Sequence, residues 1–165
     1  MVKEKVVIIM GSSSDEEFAK PIWIILDQYR VPYEKRVISA HRRTQDLLDS
    51  LKEYETSGDN LVYVTVAGMS NALSGIVACN TKFAVIACPP YSEKFGGADV
   101  YSSLRMPKGV VVYTILEPEN AALAAIKILA YGNSELYEKV LQYQQNMVNK
   151  NERDDKEIRK SSVVK

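Results

Sequence analysis

The chain is poor in the groups that most protein chemistry uses. Its 165 residues include a single histidine, and the two cysteines, Cys79 and Cys88, belong to no paired Cys motif. A histidine- or thiolate-built metal site and a disulfide framework are both disfavoured. Both cysteines stand in apolar stretches, which predicts small core residues in a reducing compartment. Charge of neither sign is in excess: Lys plus Arg and Asp plus Glu each number 21. No global field draws such a chain to nucleic acid or to an anionic membrane, so an anion has to be held by a local cluster. No apolar run approaches the roughly 18 residues of a membrane-spanning helix, and Met1 to Lys5 lacks the apolar segment of a signal peptide. These absences predict a cytoplasmic protein without membrane or nucleic-acid partners. The length suits one compact domain.

What is present is correspondingly concentrated. The only histidine lies in Val37-Ile38-Ser39-Ala40-His41-Arg42-Arg43, where an apolar run ends and two guanidinium groups follow. Histidine is the side chain whose unperturbed pKa, about 6.5, allows proton transfer near neutral pH. A loop histidine also caps or packs. Its position at the carboxyl end of a buried strand, the edge where open α/β sheets bind ligands, favours the chemical role.

Read in order, Lys5 to Met10 is an apolar run of strand length, the pattern of a strand buried on both faces of a parallel sheet. Gly11-Ser12-Ser13-Ser14-Asp15 follows. Ser14 and Glu17 have capping-box spacing, and Phe18, Ile22, Ile25, Leu26 and Tyr29 recur at helical intervals. Pro21 falls inside this helix and predicts a kink near residue 18 or a late start. The glycine turn fits two roles, a phosphate cup made of free N–H groups or a simple N-cap. A second strand over Tyr33 to Ile38 delivers the His41 loop. Thr44 is the expected N-cap of a helix carrying Leu47, Leu48, Leu51 and Tyr54 on one face.

Leu61 to Ala67 is the third strand, and it ends in another small-residue turn, Gly68 to Gly75, that runs into a helix. Phe83 to Ala87 is the fourth, closed by Cys88-Pro89-Pro90, where a cis bond is possible but unreadable from sequence. Val110 to Ile115 is the fifth, and Pro118 introduces an alanine-rich helix. Alternating strands and helices predict a three-layer α/β/α sandwich with a parallel sheet of flavodoxin-like order 2-1-3-4-5. In that order the loops holding Ser12, His41 and Ser70 converge at the switch point. The catalytic domain is read as residues 1–131. Residues 132–165 form a helical extension in which Leu136, Val140, Tyr143 and Met147 keep helical spacing, while the stretch from Asn149 is charged and expected to fray. That stripe fits either a neighbouring subunit or the chain's own domain; the first is the reading adopted.

Met10-Gly11-Ser12-Ser13-Ser14-Asp15, Ser39-Ala40-His41-Arg42, and Ala67 through Gly75 together resemble the family of purine-biosynthesis carboxylases and mutases acting on aminoimidazole ribonucleotide. Cys88-Pro89-Pro90 and Asp99 through Pro107 complete the resemblance, which spans about residues 5 to 131. The mutase branch carries a longer Gly- and Ala-rich turn after the third strand, a second histidine and a Leu-Pro-Gly ending; this chain has none of them. The resemblance therefore implies the class II branch, which uses carbon dioxide directly. Met69 stands where that branch usually has arginine, and Arg42-Arg43 where it usually reads Lys-Thr, as if a cation had moved within one pocket.

The resemblance implies His41 as the catalytic proton shuttle. It further implies a substrate site made of Gly11, Ser12, Ser14, Asp15, Ser39, Ala40, Arg42, Gly68, Ser70, Asn71, Ala72 and Leu73, with carbon dioxide as co-substrate and no ATP, biotin or metal. A homo-octamer, with sites at subunit junctions, is the implied assembly. The residues suit such chemistry on their own account. Ser12 and Arg42 fit a phosphate, Asp15 fits ribose hydroxyls, and the Ser70-Asn71 turn could place N–H groups near a new carboxylate. The alternatives are the mutase reaction, a non-catalytic module binding a phosphorylated ligand, and a hydrolase built on Gly68-Met69-Ser70-Asn71-Ala72. The last lacks the final glycine of the nucleophile elbow and has its histidine before the serine.

Overall fold

In the computed structural model, which describes residues 4–161, five parallel strands form one sheet. The leader reading of residues 1–3 and any fraying past residue 161 fall outside the described residues. β1 (Glu4–Met10) leads through a short 3-10 turn, Ser13–Asp15, into α1 (Glu16–Tyr29). Next come β2 (Tyr33–Val37), α2 (Thr44–Thr56), β3 (Asn60–Val66), α3 (Ala72–Cys79) and β4 (Ala84–Ala87). A long connection containing α4 (Tyr101–Leu104) reaches β5 (Tyr113–Thr114), and α5 (Pro118–Leu129) and α6 (Ser134–Ser161) close the described chain. The strand order is β2-β1-β3-β4-β5, as the alternation of apolar runs predicts.

The period of two along β1 divides its side chains between two cores. Val6, Ile8 and Met10 join Ile22, Leu26 and Ile126 on the α1/α5 side. Val7 and Ile9 join Leu47, Leu51 and Leu73 on the α2/α3 side. These five of the seven β1 residues are almost wholly buried, so a one-residue slip would exchange two packed sets and the register is firmly fixed. Met10 pairs with Val37 on one flank and Val66 on the other, which makes the three central strands end level. Chain direction diverges there: Ile38 N–H donates to the Met10 carbonyl at 2.9 Å, and Gly11 N–H to the Val66 carbonyl at 2.9 Å.

Several local expectations shift. The capping box belongs to Ser12 and Asp15 rather than Ser14 and Glu17, and the α-helix begins at Glu16 after the 3-10 turn. Helix α1 runs on through Pro21, whose missing donor leaves the carbonyl of Glu17, in the first turn, without its intrahelical partner. Thr44 is the first helical residue of α2 and not its cap; its hydroxyl donates back to the Ala40 carbonyl. β5 keeps two residues of the expected six, the Tyr113 and Thr114 that pair with Ile86 and Ala87 of β4; before them Gly109 turns the chain at φ +92° and Val111 is exposed. No described peptide bond is cis.

Cys88 is buried as expected, whereas Cys79 is exposed. It sits two residues past the buried Val77, about 200° round the helix. Helix α6 buries Leu136 and Val140 in the chain's own core, with Tyr143 meeting Tyr29 edge-on at 6.3 Å, so its first three turns fold back on this domain. Beyond them it stays helical to Ser161 in place of fraying from Asn149. Four-residue pairs such as Gln145 with Asn149 and Arg159 with Asp155 support the exposed part. No described helix is long and apolar enough to cross a membrane.

Candidate active site

The level strand ends place three loops around a cleft of about 440 Å³. Gly11, Ser12, Ser14 and Asp15 come from the loop after β1, and Ser39, Ala40, His41 and Arg42 from the loop after β2. Gly68, Ser70, Ala72 and Leu73 come from the loop after β3. Twelve of the thirteen residues singled out from sequence meet here; Asn71 does not. Ala67 and Met69 also line the cleft.

The first loop is a self-capped turn. Ser12 N–H donates to Asp15 Oδ2 at 2.9 Å, and the Ser12 hydroxyl oxygen accepts from Ser14 N–H at 3.3 Å and from Ser14 Oγ at 2.9 Å. With the N–H groups of Gly11, Ser12 and Ser14 already engaged, the expected cup of free backbone donors is largely consumed by capping. Both lone-pair directions of the Ser12 oxygen are taken, so its proton is the group left to offer a ligand. Burial raises the Asp15 carboxyl above its ordinary range, and hydrogen bonds from the Ser12 and Gly11 backbones oppose the shift. Gly11 itself has little room for a side chain: a Cβ there would stand 3.3 Å from the Ala67 Cβ.

The second loop presents the histidine. Ile38 and Ala40 are buried and act as plugs, while His41 and Arg42, just beyond them, face outward. Arg42 N–H donates to Ser39 Oγ at 3.3 Å and Arg43 N–H to the Ser39 carbonyl at 2.8 Å, which tightens the turn into α2. Arg43 leaves the cleft and pairs with Asp46. Among the described residues no group hydrogen-bonds the His41 imidazole or the Arg42 guanidinium. Both are therefore available to a ligand in the cleft.

The third loop is braced from behind. The Asn71 amide, 4% exposed, donates to Ser74 Oγ at 2.7 Å and Ser103 Oγ at 2.9 Å, and Ser74 in turn meets Thr65 Oγ1 at 2.8 Å. The Asn71 backbone N–H donates to Ser102 Oγ at 3.0 Å. Asn71 thus faces the α4 segment, and the expectation that it supplies a donor to a carboxylate is corrected: its hydrogen-bonding capacity is already used. Met69 adopts φ +56°, and its side chain is 61% exposed at the mouth. Ala67 escaped prediction as a lining residue because an apolar side chain beside a glycine turn carries no chemical signal of its own; Met69 is noticed only through the family resemblance.

A cleft with a free imidazole, a free guanidinium and a hydroxyl donor at a parallel-sheet switch point can hold a phosphorylated ligand and move a proton on it. Comparison with known proteins agrees with the motifs. Residues 5–150 match the family described as AIR carboxylase. The chain is 49% identical over 155 residues to a phosphoribosylaminoimidazole carboxylase of Archaeoglobus fulgidus, covering 94% of this chain and 85% of that protein. It is 43% identical to the carboxylase of the same name from Treponema denticola, covering 94% and 98%. The crystal structure of Treponema denticola PurE superposes with a TM-score of 0.91 at 43% identity, covering 94% of this chain and 98% of that one. By a match of this length, with sheet order and sequence in agreement, the chain belongs to the AIR carboxylase family.

Proposed function

We propose that the protein catalyses the reversible carboxylation of 5-aminoimidazole ribonucleotide by carbon dioxide, a step of purine biosynthesis, giving the 4-carboxy product. The observation that carries this reading is the unpartnered His41 imidazole lining one cleft with the Ser12 turn and the Gly68–Leu73 turn. The aminoimidazole is an enamine, so its C4 is nucleophilic without activation. C4 attacks the carbon of carbon dioxide, a C–C bond forms, and one C–O π pair moves onto oxygen. C4 then bears both a carboxylate and its original hydrogen, and aromaticity returns when that proton leaves. His41 accepts it, and the C–H pair returns to the ring. Nothing in this sequence consumes ATP or requires biotin or a metal.

The remaining roles belong to the same reading. The Ser12 proton and the Arg42 guanidinium hold the phosphate, Arg42 by charge-assisted hydrogen bonds. Asp15 accepts from ribose hydroxyls, and the Met69–Ser70 turn borders the transferred carboxyl. The working assembly in this reading is a homo-octamer in the cytoplasm; light scattering giving a monomer at assay concentration would overturn that part. The reaction is tested by incubating the protein with aminoimidazole ribonucleotide plus bicarbonate, and separately with the N-carboxylated isomer. Conversion of the first, rising with dissolved carbon dioxide and indifferent to ATP and chelators, is expected. Conversion of the isomer alone would make the enzyme a mutase instead, and conversion of neither would leave a binding module.

A further inference from the structure

The turn at Met69 and Ser70 is a shared wall. On one side lies the cleft; on the other is a pocket of about 470 Å³ bordered by Met69, Ser70, Phe95, Ala98, Asp99 and Ser102. Two described non-glycine residues have positive φ, Arg30 and Met69. Arg30 occupies the left-handed cap of α1, an ordinary place for that conformation. Met69 ends no helix. A side-chain-bearing residue stays in this region only where its surroundings over-determine it. Here the surroundings are identifiable: Met69 N–H donates to Asp99 Oδ2 at 3.3 Å. Ser102 Oγ lies 3.0 Å from the Met69 carbonyl and 2.8 Å from the Asp99 carbonyl, sharing its one proton between them, while it accepts the Asn71 N–H. Both peptide groups flanking Met69 are thus held from a segment some thirty residues away.

We propose that Asp99 and Ser102, neither of which borders the cleft, are positioning residues that lock Met69 in its left-handed conformation and so aim the Met69–Ser70 wall at the reacting carbon. This rests on the carboxylation reading, in which that wall faces the transferred carboxyl and not the phosphate. Loss of the lock therefore falls on kcat with KM little changed.

The test uses the full chain with Asp99→Ala, Ser102→Ala, their conservative counterparts Asp99→Asn and Ser102→Thr, and each alanine variant combined with Met69→Gly. Glycine takes a positive φ unaided, so it should make the lock redundant. Each alanine variant is expected to lower kcat on the order of tenfold, with Asn and Thr restoring most of it. In the Met69→Gly background the same alanine changes should cost less than about twofold, a coupling that independent sites would not show. Backbone hydrogen exchange at residues 69–71 should quicken in Asp99→Ala. Additive losses across the Met69→Gly cycle, or a lowered melting temperature with kcat unmoved, would overturn the proposal. Should Asp99→Ala fail to fold, Ser102→Ala and its Met69→Gly double carry the same comparison. If the wild type converts neither ribonucleotide, the reaction assignment fails on its own, and exchange at residues 69–71 decides the lock: unchanged exchange in the folded alanine variants refutes it.

Discussion

The cleft and the cluster around Glu34 are built from the same kinds of side chain and differ in how far those side chains satisfy one another. In the cluster, the Tyr54 hydroxyl donates to Glu34 Oε1 at 2.6 Å and accepts from Arg36 at 3.1 Å. Arg36 also reaches Glu34 and Ser50, and Lys5 pairs with Glu34 Oε2 at 3.3 Å while its ammonium lies 5.1 Å from the Tyr54 ring centre. Every charged group there has a partner, and nothing is left over for a ligand. In the cleft, the His41 imidazole and the Arg42 guanidinium are paired with no described residue and the Ser12 proton is unspent. A polar cluster that closes on itself fixes α2 against β2; one left open around a cavity is set up to bind. The two regions should therefore respond to mutation in opposite ways.

The largest expected effect is His41→Asn, which should lose about 10²- to 10⁴-fold in turnover, the usual worth of a positioned proton transfer. Because the imidazole is exposed and unpartnered, urea unfolding of this variant should stay within about 0.5 kcal/mol of wild type. Near-normal turnover would remove His41 from the mechanism and, with it, the claim that the open cluster is chemical. Next in size are Ser12→Ala and Asp15→Ala. Titration with the ribonucleotide should show binding weakened by about 1 to 3 kcal/mol, since each removes a partner of a polar group in the cleft. Both also dismantle the capping box, so each should cost roughly 1 kcal/mol of stability as well. Normal affinity in both variants would reduce the Gly11 turn to a helix cap.

Tyr54→Phe is the mirror experiment. It removes one hydroxyl from the closed cluster, leaving Glu34 and Arg36 with each other, and should cost about 1 kcal/mol in unfolding free energy with kcat and KM unchanged. Burial and the hydrogen bond to Glu34 push the Tyr54 hydroxyl up to about 12, so the group stays a donor across the working range. A loss of activity without loss of stability here would blur the distinction between the two clusters.

How much of this was legible in the sequence follows from the range of each interaction. The sheet order and the switch point could be read because continuous apolar runs such as Val6 to Met10 state burial on both faces locally. The convergence of Ser12, His41 and Ser70 followed from topology alone. Cap assignment failed because Ser12 with Asp15 and Ser14 with Glu17 both satisfy a three-residue spacing, and only the strand's end point chooses between them. Asn71 was misread as a ligand donor, since side-chain direction at a turn depends on Ser74 behind it and on Ser103 thirty-two residues away. The Asp99 and Ser102 contacts to Met69 have no local signature at all. Tertiary hydrogen bonds between loops are the part of a site that spacing does not encode.

The smallest expected effect separates the two clusters by the sign of their acid response. Burial pushes the Glu34 carboxyl upward, yet hydrogen bonds from Tyr54, Lys5 and Arg36 outweigh it and hold the group below its ordinary value of 4.5. A carboxyl with a depressed folded pKa contributes stability that is present above the unfolded pKa and is lost as pH falls through the folded one. Asp15 has the opposite sign, because burial raises it above 3.8 against the pull of the Ser12 and Gly11 backbones. Its ionised form carries a penalty at neutral pH that is relieved as pH falls through the raised value. Unfolding free energies measured from pH 6 down to about 3 should therefore fall less steeply in Glu34→Gln than in wild type, and more steeply in Asp15→Asn. Changes of the same sign in both variants would show that the open and closed clusters do not differ in the way their hydrogen bonds indicate.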